Sequence, residues 1–194
     1  LNISVKTVHE CRQALGKPVN NIIPCGINDV VGAANYPALL ASVTGSLDSL
    51  RTLIGTLHTA STATRGTTGA APHLFIDEVL PDTNLTDTQA GWVRSLNADL
   101  AAYCATYPSV TTLISLWSQF GQLRVSTGFN DDLKSAYNSG DGVHPNGTGY
   151  ALLGTNWYGA ALAYYGPLAS GSPSLSSSAS LPSSVIVNVR LLPL

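Results

Sequence analysis

Apolar residues fall along this chain in short continuous runs and long helical stripes, taken in turn. Residues 19–26, VNNIIPCG, form a short apolar run that ends in Gly and predicts a buried strand. The next segment, 36–60, carries Leu39, Leu40, Val43, Leu47, Leu50, Leu53, Ile54 and Leu57 at helical spacing. That stripe predicts a helix over 37–57 that buries Leu40, Val43, Leu47, Leu50 and Ile54 against a sheet, with Asn35 as its cap and Pro37 in its first turn. Residues 61–72 predict a loop, and HLFIDEVL (73–80) a second strand closed by Pro81. Over 85–108, Trp92, Val93, Leu96, Leu100, Tyr103 and Cys104 share one helical face, with Thr86 or Asp87 as cap and Pro108 as stop. VTTLISL (110–116) predicts a third strand, and 147–165 a third long helix. Between them, 118–143 is polar and Gly-rich and predicts loop with room for one short helix.

Strands that alternate with long helices predict an α/β fold, a mainly parallel sheet covered by helices on both faces. Right-handed crossovers place the carboxyl ends of such strands along one rim, where open α/β sheets carry their sites. Residues 26–35, after the first strand, and 139–146, before the last helix, both belong to that rim. The α/β domain spans 1–165. After Tyr165 the composition changes to a Ser/Gly/Pro/Ala linker, 166–184, and then to a strand-like tail, VIVNVRLLPL, 185–194.

Composition narrows the function classes. The chain has 194 residues, enough for one domain with a sizeable core, and a net charge of −2, which gives no basic footprint for nucleic acid or an anionic membrane surface. No apolar run reaches the roughly 18 residues of a transmembrane helix. The first residues carry Lys6, His9, Glu10 and Arg12 without the apolar core of a signal peptide. The absence of Met and the start at Leu1 point to a processed or truncated product, or to a reading frame without its natural start. Cys11, Cys25 and Cys104 are odd in number and lack metal-ligand spacing, so they read as small buried hydrophobes. Asn2, Asn84 and Asn146 each begin an N-x-[ST] triplet, as chance allows in a Ser/Thr-rich chain. A surface poor in Lys and rich in Ser, Thr, Gly and Ala leans toward an extracellular or surface-associated setting.

Candidate chemistry concentrates in SGDGVHPNGTGY, 139–150. Asp141 and His144 stand three apart, in a stretch where Gly142 permits a turn and Asn146 can cap the following helix. A carboxylate bonded to one imidazole nitrogen fixes the tautomer and leaves the other nitrogen as a general base. The competing reading is a loop and helix start without chemistry. In CGIND, 25–29, Asn28 lies just past a strand, where its amide can donate to a developing oxyanion. The competing reading there is an Asx turn, with Asp29 capping the next segment.

A G-x-N-D block after a strand, followed about 110 residues later by D-x-x-H-P before the last helix, resembles the SGNH, or GDSL-type, hydrolase family. NNIIPCGIND is similar to its third block, GDGVHPNGTGYALL to its last, and 86–117 to the helix and strand between; the resemblance covers roughly residues 1–165. It implies a three-layer α/β/α, flavodoxin-like fold. It implies His144 as general base, Asp141 as its orienting partner and Asn28 as oxyanion-hole donor. The reaction would be ester hydrolysis through an acyl-enzyme on an acylated carbohydrate or lipid, with no metal or other cofactor. The family's Gly-Asp-Ser block is absent, and NISVKT (2–7) lacks the Gly of the second block, so the nucleophile is unknown. Ser4 and Ser139 sit in no strand-to-helix elbow and are not favoured. The resemblance implies that roughly 50 residues with the central first strand are missing upstream. The tail, through Val185, Ile186, Val187 and Val189, or a second polypeptide that also brings the Ser, would fill that slot; alternatively the sequence is a fragment. Set against the esterase is a non-catalytic SGNH-like domain, either structural in a surface or virion assembly or binding carbohydrate on Tyr and Trp platforms.

Overall fold

The computed structural model describes residues 20–23, 27–65 and 73–165. The expectations for Ser4, Cys11, Cys25, the linker 166–184 and the tail 185–194 lie outside the described residues. Five strands and five helices are described: β1 (Asn20–Ile23), α1 (Ile27–Gly32), α2 (Tyr36–Arg65), β2 (His73–Asp77), α3 (Asp87–Thr106), β3 (Thr111–Ile114), α4 (Trp117–Phe120), β4 (Gly121–Arg124), β5 (Phe129–Leu133) and α5 (Gly147–Tyr165). The main sheet has the order β1-β2-β3, all parallel, with Ile23 beside Ile76 and Asp77 beside Ile114.

Strand β2 lies between two apolar layers and is buried throughout. Leu74 and Ile76 join one cluster, with Val30 of α1, Leu39, Val43 and Leu47 of α2, and Val93, Leu96 and Leu100 of α3. Phe75, between them in sequence, joins the opposite cluster with Ile114, Leu116, Phe120, Leu133 and Leu153. The alternation of side chains along a strand sends neighbours to opposite faces, so one continuous apolar run serves both cores. The result is the three-layer α/β/α arrangement, with α1–α3 on one face and α5, with α4 and β5, on the other.

The helix ends follow their sequence signals. Asn35 caps α2, its Oδ1 accepting the N–H of Ala38 at 3.0 Å. Thr86 caps α3 in a capping box: its hydroxyl accepts from the Gln89 N–H at 3.2 Å, and the Gln89 side chain accepts from the Thr86 N–H at 3.1 Å. Helix α2 extends to Arg65, beyond the 37–57 that the apolar stripe predicted. Its buried line is Leu39, Val43 and Leu47, whereas Leu40 and Leu50 are half-buried against the same core. Val43 and Leu47 are thus buried as expected, and Leu39, four residues before Val43, joins them in one row. The Ile54 side chain is outside the described residues. Cys104 is buried and unpaired, as a small hydrophobe.

The loop expected over 61–72 is helical as far as Arg65, and α1 answers to no predicted element; the larger correction is in 118–143. The expected short helix is present as α4, but in place of loop the chain then forms an antiparallel hairpin of β4 and β5, with Gly121 opposite Leu133 and Arg124 opposite Phe129 around a bulge. Gly121 is required at its place, since a Cβ there would collide with the Asn130 carbonyl. Asp131, fully buried in β5, is paired with Arg94 of α3 and accepts from the Thr127 hydroxyl at 2.6 Å. A buried carboxylate in an NDDL stretch does not look like a strand until its arginine is known.

Leu47 is 3% exposed, so Leu47→Ala should cost roughly 2–5 kcal/mol in urea unfolding. A near-neutral result would mean that this face of α2 is not core.

Candidate functional site

Parallel pairing of β1, β2 and β3 fixes one carboxyl rim. From β2 the chain leaves through Glu78–Leu85, which is tied down at successive points. Val79 is held on both sides by the buried Asn97 amide of α3, which accepts from the Val79 N–H at 2.8 Å and donates to its carbonyl at 3.0 Å. The Glu78 carboxylate accepts from the N–H groups of Leu116 and Trp117, both at 2.7 Å, and so ties the β2 exit to the start of α4. Asp82 is buried, and its Oδ1 accepts the Asn84 N–H at 2.7 Å. Burial raises its carboxyl above the ordinary range, against the pull of the Asn84 N–H, Arg124 and His144 and with that of Asp141.

Onto this loop docks the turn that carries Asp141 and His144. The Thr83 N–H donates to the Gly142 carbonyl at 3.0 Å, and the Asn84 amide donates to the Asp141 carbonyl at 2.7 Å. The turn is closed by an Asn138–Pro145 bridge and by the Ser139 N–H on the His144 carbonyl at 2.9 Å. Inside it, Asn138 Oδ1 accepts from the N–H groups of Gly140 at 2.8 Å and Gly142 at 3.0 Å. Gly142 has φ +85°, and a Cβ there would stand 2.9 Å from Asn84 Oδ1, so both backbone and neighbour demand glycine. Asn146 then starts α5, its Oδ1 accepting the Gly149 N–H at 3.0 Å.

Within the turn, His144 Nδ1 lies 2.6 Å from Asp141 Oδ2. The other carboxylate oxygen accepts the N–H groups of Val143 at 2.9 Å and His144 at 2.8 Å. These backbone donors, chiefly that of His144, together with the ring, hold the Asp141 carboxyl well below the usual carboxylate range. An ionised carboxylate at 2.6 Å requires the proton on Nδ1, and in the neutral ring Nε2 then carries the lone pair. Among the described residues no polar group bonds Nε2, and the His144 side chain is 65% exposed. Asn28 falls in the first turn of α1, after β1, and is exposed. Parallel pairing puts it at the same rim as the turn, and no hydrogen bond joins it to Asp141 or His144. Ser139, near in sequence, adds the smallest share to the lowering of the Asp141 carboxyl.

Asn84, Arg124, Asn138 and Asp82 complete the rim without having been singled out for it. Asn84 showed only as a possible glycan acceptor, yet its amide is engaged with Asp141. Beneath the rim, Asp77 ends β2 in a buried position and accepts from Trp157 Nε1 of α5, at 2.9 Å to each oxygen. Among the described residues no cluster of three or more His, Cys, Asp or Glu is placed to hold a metal ion, and no helix is long and apolar enough to cross a membrane.

No family model matches this chain, and no curated protein matches it. Solved structures do. A protein assigned as an acylhydrolase from Bacteroides fragilis NCTC 9343 superposes with a TM-score of 0.51 at 21% identity, over 74% of this chain and 61% of its own. A GDSL-like lipase from Bacteroides thetaiotaomicron VPI-5482 gives a TM-score of 0.48 at 21% identity, over 72% of this chain and 60% of its own. The chain thus spans less than two thirds of the length of either neighbour. The likeness to the first of these is one of fold alone: an α/β fold with a short parallel sheet.

Burial pushes the Asp77 carboxyl up to about 7, against the pull of the Trp157 donor. The folded chain then keeps a proton that the unfolded chain releases near its ordinary value of 3.8. This contribution to stability should be full below that value and lost as pH rises through about 7. In urea unfolding across this window, Asp77→Asn should flatten the decline with pH. An unchanged slope would show that Asp77 does not titrate there.

Proposed function

We propose that this chain carries the base half of a serine esterase site of the SGNH kind, acting on an acyl ester of a carbohydrate or lipid. The observation that carries the reading is the 2.6 Å contact of His144 Nδ1 with the Asp141 carboxylate, in a turn docked on the carboxyl rim with Nε2 open. In the proposed reaction, Nε2 takes the proton of an attacking serine hydroxyl. Asp141 stabilises the imidazolium that forms, and the same nitrogen returns the proton to the leaving alcohol. Asn28 donates its amide to the oxyanion. Water then attacks the acyl-enzyme with the same base, so that acid and alcohol are the products. The serine lies on a Gly-Asp-Ser segment outside these residues, joined to the chain or on a second polypeptide that also supplies the first strand. An extracellular or surface-associated setting belongs to this reading.

A second reading has its own support. Tyr150, in the first turn of α5 and six residues past His144, is 55% exposed. With the imidazole equally open, the domain would serve as a structural or carbohydrate-binding module of a surface assembly.

Hydrolysis of p-nitrophenyl acetate separates the two. Without the nucleophile, the 194-residue chain should react barely above free imidazole. Adding the first strand with its Gly-Asp-Ser end, fused or as a second chain, should raise the rate by several orders of magnitude, and His144→Ala should remove the gain. A complemented chain that binds sugar but stays at the imidazole rate would establish the second reading instead.

A further inference from the structure

The Asp141–His144 turn is exposed, and what fixes it to the body of the domain is the 82–85 loop. That loop in turn has one buried cation against it. Arg124, at the end of β4, is 8% exposed. Its Nη2 donates to the Asp82 carbonyl and its Nη1 to the Leu85 carbonyl, both at 2.8 Å. Its Nε meets Asp132 Oδ1 of β5 at 2.6 Å, and Nη1 lies 3.5 Å from Asp87 Oδ1. One planar guanidinium therefore spans both ends of the 82–85 turn while anchored to its own hairpin. Between those two carbonyls stand Thr83 and Asn84, the residues that donate to Gly142 and Asp141.

We propose that Arg124, acting through Asn84, is a positioning residue for the Asp141–His144 pair: it sets the loop whose amide holds the Asp141 backbone, and so keeps the carboxylate on Nδ1. The catalytic meaning of this role rests on the esterase reading above. The hairpin that an all-parallel sheet does not need thus has a task, since it brings a rigid fork to the rim. Lysine cannot replace it. An ammonium is a point donor on a flexible stem and does not bridge two carbonyls and a carboxylate in one plane. Asn84 is matched on its other side by Gly142, where the missing Cβ admits the amide.

The test reads the imidazole itself and not hydrolysis, so it stands or falls apart from the esterase reading. Ring-nitrogen shifts of the labelled full chain, taken at alkaline pH where imidazole is neutral, report the tautomer. The wild-type His144 should be a single tautomer with the proton on Nδ1. Arg124→Lys and Asn84→Ala should each give a mixture of the two tautomers. Leu47→Ala, which weakens the core far from the rim, should leave His144 as in the wild type. If Arg124→Lys does not fold, Asn84→Ala decides, because it removes an exposed amide only. A pure Nδ1–H tautomer in either folded variant overturns the proposal, as does a mixture in the wild type.

Discussion

Two hydrogen bonds join the loop after β2 to the turn before α5: Thr83 to the Gly142 carbonyl, and the Asn84 amide to the Asp141 carbonyl. The candidate chemistry depends on them because the turn has little else to hold it. His144 and Asp141 are both largely exposed, and an exposed imidazole is free to rotate away from its partner. Local bonds shape the turn: Asn138 gathers two glycine N–H groups, and Asp141 accepts those of the next two non-glycine residues, Val143 and His144. Those bonds fix its form but not its place. The place comes from the loop, and the loop is set by Arg124, Asp82 and Asn97, which are all buried.

The core serves the same end. Strand β2 is buried on both faces, so its exit is fixed by Leu74 and Ile76 on one side and Phe75 on the other. Helix α5, which begins just past His144, is tied back to the last residue of that strand through Trp157 and Asp77. The turn is therefore bracketed by two elements that share one anchor. Rigid elements under a short polar turn are how a fold places a side chain precisely enough for proton transfer.

Much of this was legible in the sequence, for identifiable reasons. Helices α3 and α5 and strands β2 and β3 have long or sharply bounded apolar patterns with caps and prolines at their ends. The Asp141–His144 pair was legible because three-residue spacing in a Gly-rich turn lets both side chains point the same way, and because the G-x-N-D and D-x-x-H-P blocks together resemble a known family; the spacing alone left a plain loop open. The hairpin was not legible. Gly121 and Gly128 read as loop, and Asp131 reads as surface, until Arg94 is seen to pair with it and the Thr127 hydroxyl to donate to it. Helix α1 is six residues long, too short for periodicity to mark it. Asn84 and Arg124 escaped because their role is a long-range contact, across 57 residues from Asn84 to Asp141 and 42 from Arg124 to Asp82, and neither belongs to a local pattern.

The central claim, that this pair serves a serine beyond these residues, meets its most direct test in intact-mass analysis of the native material after treatment with a serine-directed fluorophosphonate. The account predicts one label per active site, on a serine outside the 194 residues, in a polypeptide that co-purifies with them or extends them. A label on any serine within the 194, or none on native material, would contradict it.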